Sequence, residues 1–189
     1  PIEVPKTKVD WWLPTKALLI GCDRFVTQPE TTPASENNVA VLNEVLAKLG
    51  PVTRVNDIGS FRDLEQAIED AFGDANESDV CFLYISTHGI LPENEDPAGM
   101  TFVFSDGERE ERVSPGQLRS LLEDIPGRKI LVPDTCYSGA IIGKGSRDSL
   151  ENMFASDDTL VITSCGAEER SWFWSSSGQG STGTGYFTG

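Results

Sequence analysis

The sequence holds a single histidine, His88, among 189 residues. A metal centre or proton relay built from several imidazoles is therefore excluded. Cysteine is almost as scarce, with four residues at positions 22, 81, 136 and 165 and no C-x-x-C pair. A disulfide framework or zinc ribbon would need closer clustering, so the thiols are read as reduced, the state expected in a cytoplasmic setting. No apolar run approaches the ~20 residues that cross a bilayer. The longest, Ala17 to Ile20 and Val80 to Ile85, are strand-sized, and no secretory-type segment opens the chain at Pro1. No membrane partner is expected. Positive charge is also short, with 15 basic residues against 30 acidic ones and a net charge of −15. Such a surface repels phosphate backbones, which excludes nucleic acid as a partner, while a basic peptide suits it. High solubility is the plainer reading of the same charge.

What is present is an alternation of strands and helices. Lys16 to Gly21 reads as a buried strand, Val52 to Val55 as a short one, and Val80 to Ser86 as the strongest. Thr101 to Phe104, Lys129 to Val132 and Thr159 to Thr163 complete the strands. Ser35 is placed to cap a helix with Val39, Leu42, Val45, Leu46 and Leu49 on its apolar face; Ser60 caps a second, carrying Leu64, Ile68 and Phe72. Ser114-Pro-Gly-Gln117 has capping-box spacing with proline at the first helical position and opens a third helix. A weak helix is read over Asp148 to Phe154, and Leu91 to Gly99 reads as a surface loop. Strands separated by helices of ~10–15 residues predict βαβ units: an α/β fold with a mostly parallel central sheet and helices on both faces.

Functional groups in such sheets gather where strands end at their carboxyl edge. His88 and Cys136 each follow the end of a strong strand. A histidine in this position is often no more than a strand cap bonded to a carbonyl. The surroundings of Cys136 favour chemistry instead. A structural cysteine lies inside an apolar run, as Cys81 does, whereas Cys136 follows Pro133-Asp-Thr135 and precedes Tyr137-Ser-Gly139, where small residues permit a turn that exposes sulfur. A cysteine nucleophile needs a base and donors for an oxyanion. His88 is the only imidazole on offer, and the backbone N–H groups of Gly89 and Cys136 are candidates for the oxyanion hole. A dinucleotide-binding protein is disfavoured, because no G-x-G-x-x-G follows the first strand.

Ser86-Thr-His88-Gly89 after one strand and Asp134-Thr-Cys136-Tyr-Ser138-Gly139 after another resemble the metacaspase pattern of histidine–glycine and D-x-C-x-S-G. Residues 159–172 are similar to the next block of the caspase, metacaspase and legumain superfamily, a strand ending in small residues, then a charged turn and an aromatic. The step of 48 residues from His88 to Cys136 is close to the caspase spacing of about 50. The resemblance runs from Ala17 to Phe187 and implies a caspase-like sandwich and a cysteine endopeptidase acting on protein or peptide, with no cofactor. It also implies a pocket for the side chain before the scissile bond (P1). Asp134 stands where metacaspases place the acid that binds arginine or lysine, Ser86 matches another pocket position, and Asn38 stands where a second acid is expected. Asp23 corresponds to a legumain residue that orients the histidine or lines the pocket; a plain surface turn is the alternative there. One acid beside an amide keeps a legumain-like preference for asparagine open, as well as transamidation in place of hydrolysis. A catalytically silent module on the same fold is the competing class.

Many metacaspases need calcium. The acids at Glu93, Glu95, Asp96, Asp106, Asp157 and Asp158 lack EF-hand spacing, so no metal site is assigned. Trp172 and Trp174 are read either as a wall of the substrate cleft or as packing on the sheet edge; Trp11 and Trp12 are read as covering the core. The expected organisation is an N-terminal extension over 1–15, a peptidase domain over 16–174 and a flexible Ser/Gly-rich segment over 175–189. Because relatives continue beyond the last strand, a regulatory partner or C-terminal subunit is a further expectation.

Overall fold

The computed structural model describes residues 13–27, 34–94, 96–142, 154, 156–175, 183–185 and 187. In chain order these form β1 (Lys16–Gly21), α1 (Ser35–Leu46), β2 (Val52–Asn56), α2 (Phe61–Phe72), β3 (Val80–Ser86), β4 (His88–Ile90), β5 (Thr101–Ser105), β6 (Glu110–Val113), α3 (Pro115–Glu123), β7 (Arg128–Asp134), β8 (Thr159–Val161), β9 (Phe173–Ser175) and β10 (Gly183–Gly185). The central sheet has the order β2-β1-β3-β7-β8, and every neighbouring pair in it is parallel. This is the α/β fold expected from the alternating pattern.

Apolar residues on alternate positions of the strands divide between two cores. Leu18, Ile20, Leu83, Ile85 and Leu131 face α2 and α3 through Leu64, Ile68, Phe72, Leu118 and Leu122. Ala17, Leu19, Tyr84, Ile130 and Val132 face α1 through Val39 and Leu46. Strands buried on both faces need continuous apolar sequence, which is why β1, β3 and β7 were legible. The Ser60 cap and the Ser114 capping box with Pro115 are present as expected.

The first helix departs from expectation. Ser35 is its first residue, Ala34 is the N-cap, and no cap side chain is adjacent in sequence. Asp23, from the loop after β1, accepts the N–H groups of Ala34, Ser35 and Glu36 at 2.8–3.0 Å. A carboxylate at a helix N-terminus satisfies orphan donors and the helix dipole together, whichever part of the chain supplies it. Val45 and Leu49, expected on the apolar face, are exposed, because the helix rests on the sheet through Val39 and Leu46.

Beyond β3 the chain enters a second, antiparallel sheet of order β4-β5-β6. Only Thr87 separates β3 from β4. Gly183–Gly185, within the stretch read as a flexible tail, pairs with Phe173–Ser175 as a two-stranded ribbon. The weak helix read over 148–154 falls outside the described residues apart from Phe154, as do Trp11 and Trp12.

Candidate active site

β3 and β7 are hydrogen-bonded neighbours, and their register sets Ser86 directly beside Asp134. His88 and Cys136 each lie two residues further on. Parallel pairing at equal offset therefore carries both to the same carboxyl edge of the sheet. They line two cavities together: a narrow one of about 140 Å3 and an open groove of about 850 Å3. Gly89 lies against the cysteine turn so closely that a Cβ there would overlap the Cys136 carbonyl oxygen. Only glycine permits that approach.

The turn after Cys136 is made differently from the sequence reading. Tyr137, not a glycine, takes the left-handed conformation at φ 61°. A short 3-10 turn, Ser138–Ile141, follows. Gly139 serves close packing instead, since a Cβ there would fall 2.7 Å from the Ala167 backbone nitrogen. A non-glycine residue in this region is costly by roughly 1 kcal/mol or more and needs outside support. Residues 164–171 supply it. The Glu169 carbonyl accepts the Tyr137 N–H at 2.7 Å, and the Ser164 hydroxyl donates to the Thr135 carbonyl at 3.3 Å. The Cys165 N–H donates to Ser138 Oγ, and the Cys165 thiol reaches the Thr135 carbonyl. The Ser171 carbonyl accepts the Cys136 thiol at 3.7 Å.

His88 is fixed mainly by packing. Its ring sits 4.2 Å from that of Phe25, centroid to centroid, and Phe25 is 4% exposed. The imidazole Nε2 is buried with no hydrogen-bond partner among the described residues. Burial lowers the His88 pKa below its usual 6.5, opposed by the negative charges of Asp23 and Glu110. Burial also pushes the Cys136 thiol up, opposed by a weaker hydrogen-bonding effect of the Ser171 backbone. Both shifts favour the uncharged form of each group.

The narrow cavity is the more elaborate of the two. Asp134, 6% exposed at its edge, accepts the Tyr84 hydroxyl at 2.8 Å, the Ser171 hydroxyl at 3.2 Å and the Asn38 amide at 3.4 Å. Asn38 also reaches Ser86 Oγ, and its carbonyl oxygen accepts the Gly185 N–H at 2.8 Å. Ser86 Oγ in turn donates to Ser35. Asp134, Ser86, Asn38 and Asp23 thus all line one cavity with His88 and Cys136. Asp23 lines its wall while both its oxygens cap α1, so it acts on His88 through space rather than by a hydrogen bond seen here.

Several site residues were missed in the sequence. Tyr84 was read only as core, Phe25 was not singled out, and Ser171 lay inside a block noted for its overall pattern. None carries a local signal, because each reaches the site from a different element. Trp172 lines the narrow cavity and is 70% exposed, so it is not packed beneath the sheet edge. Among the described residues no group of three or more His, Cys, Asp or Glu side chains is gathered to hold a metal ion.

Solved structures share this architecture. A structural-genomics target protein from Geobacter sulfurreducens superposes with a TM-score of 0.63 at 19% identity, over 93% of this chain and 79% of its own. Caspase-1 from Spodoptera frugiperda superposes with a TM-score of 0.59 at 15% identity, over 86% of this chain. The chain spans 64% of the length of that caspase. No curated protein sequence matches it. Identities this low speak for the fold alone, but the family model for the caspase domain matches residues 14–189. The parallel sheet, the adjoining ends of β3 and β7 and that match agree, and the chain belongs to the caspase domain family of cysteine peptidases.

Proposed function

We propose that the protein is a cysteine endopeptidase in which Cys136 is the nucleophile, His88 its base and Asp134 the anchor for an arginine or lysine at P1. One observation carries this reading: His88 and Cys136 border both cavities, and the narrow one holds a buried carboxylate. An extended peptide would lie with its P1 side chain in the narrow cavity and its leaving group over the open groove. A buried carboxylate lined by neutral donors favours a cation, and arginine can meet it with two parallel N–H groups.

The shifted groups favour a neutral thiol beside a neutral imidazole over a pre-formed ion pair. His88 then removes the thiol proton as sulfur attacks the carbonyl, and the N–H groups of Gly89 and Cys136 receive the developing oxyanion. His88 returns the proton to the departing amine, and water releases the acyl-enzyme. The Asn38 amide beside Asp134 supports asparagine as the second reading of specificity.

Fluorogenic peptides that differ only at P1 (Arg, Lys, Asn, Asp), with and without calcium, test both. Turnover after Arg or Lys that vanishes in Cys136→Ala and collapses in Asp134→Asn is expected. Preference for Asn would shift the pocket to the second reading, and turnover that survives Cys136→Ala would sink the nucleophile assignment.

A further inference from the structure

Ser171 touches both halves of the site. Its carbonyl accepts the Cys136 thiol at 3.7 Å, and its hydroxyl donates to Asp134 Oδ1 at 3.2 Å. Sulfur and pocket carboxylate are therefore held by one residue, a few covalent bonds apart. Meanwhile His88 Nε2 is buried without a hydrogen-bond partner among the described residues. The thiol proton is engaged by a group that cannot accept it, while the imidazole is not so engaged. A thiol in that state is a weak nucleophile, because a peptide carbonyl is too feeble a base to generate thiolate.

We propose that Ser171 is a positioning residue that couples filling of the P1 pocket to release of the Cys136 thiol toward His88. The coupling rests on the reading of Asp134 as the P1 anchor. A guanidinium in the cavity is a charge-assisted partner for Asp134 and outcompetes a neutral hydroxyl. Ser171 lies outside any helix or strand, between Arg170 and the exposed Trp172. Its backbone can move without breaking a sheet ladder. When the hydroxyl is displaced, the carbonyl loses one of its fixings and the thiol turns about its side-chain bond to His88. The proton passes from sulfur to the imidazole, and the electron pair stays on sulfur for attack. The empty enzyme keeps its sulfur shielded, so a correct P1 side chain assembles the site that cuts beside it.

Alkylation of Cys136 by iodoacetamide tests this, because the reagent is too small to need the pocket. Butylguanidine serves as an arginine side chain without a backbone, its binding is measured by calorimetry, and the modified peptide is followed by mass spectrometry. Saturating butylguanidine should accelerate alkylation of the wild-type protein by about three- to tenfold, the worth of one neutral hydrogen bond. Ser171→Ala should react at the faster rate without butylguanidine and gain nothing from it. Ser171→Thr keeps the hydroxyl and should keep the response. A purely structural role would not make the rate depend on butylguanidine. Binding that leaves the wild-type rate unchanged or slows it overturns the coupling and spares the pocket reading. Failure to bind removes both.

Discussion

His88 and Cys136 stand at equivalent points on neighbouring strands, yet their turns are held in different ways. The His88 turn runs straight into β4: Phe25 packs on the imidazole, the Thr87 hydroxyl donates to the Val103 carbonyl, and β4 pairs with β5 with His88 opposite Val103. The Cys136 turn contains a left-handed Tyr137 and is held by hydrogen bonds from residues 164–171. Packing fixes a ring in a dry place, which favours its neutral form, whereas hydrogen bonds fix a backbone that must bend against its preference. His88 is therefore tuned by burial, and Cys136 is aimed by a loop remote in sequence. A loop can move without loosening the core, so the Cys136 side is the one with room to adjust.

Removing the packing should have the largest effect. Phe25→Ala is expected to cost about 3–5 kcal/mol of stability, the usual range for a buried phenylalanine, read by denaturant unfolding. It should also move a pH limb. Burial holds the His88 pKa below 6.5, so the neutral, base-competent imidazole persists as pH falls through that value. With His88 as the proposed base, the acid limb of kcat/KM is expected below 6.5 in the parent. Water admitted by Phe25→Ala raises the limb toward 6.5. A limb that stays put would mean that Phe25 does not keep the ring dry.

Gly89→Ala strikes where the two turns meet. The new Cβ overlaps the Cys136 carbonyl, so one turn must back away from the other. Because a shift of ~1 Å in a reacting pair costs ~100-fold, kcat on a P1-arginine peptide should fall by that order. Unchanged kcat would show that the turns adjust independently.

The smallest effect is expected from the polar side. Ser164→Ala removes the hydroxyl bonded to the Thr135 carbonyl and close to Ser138 Oγ. Loss of about 1 kcal/mol is expected for one such bond, with less pH dependence than in Phe25→Ala. A loss as large as that of Phe25→Ala would erase the distinction between the two turns.

Much of this was legible in the chain itself. β1, β3 and β7 announce themselves as apolar runs, and the last two deliver His88 and Cys136 to the sheet edge. The caps of α2 and α3 are local patterns of three or four residues, and both are present. The cap of α1 was misassigned because its carboxylate comes from Asp23, 12 residues before the helix begins. β6 was missed because Glu-Glu-Arg-Val is too charged to read as a strand, and it forms by pairing with the apolar β5. β10 is nearly featureless in sequence and is defined by its partners, β9 and Asn38.

The sequence by itself determined the sheet, the order of its strands along the chain and the residue types of a cysteine peptidase, because burial and turn chemistry are local properties of composition and period. It also marked Asp134, Ser86, Asn38 and Asp23 as candidates for the pocket. Only the tertiary structure decided how they are used. Asp134 is shared among Tyr84, Asn38 and Ser171, Asp23 is bound to a helix end, and the thiol points its proton at the Ser171 carbonyl. Hydrogen-bond partners separated by tens of residues are chosen by how the strands and loops come to rest in space, and no local pattern encodes that choice.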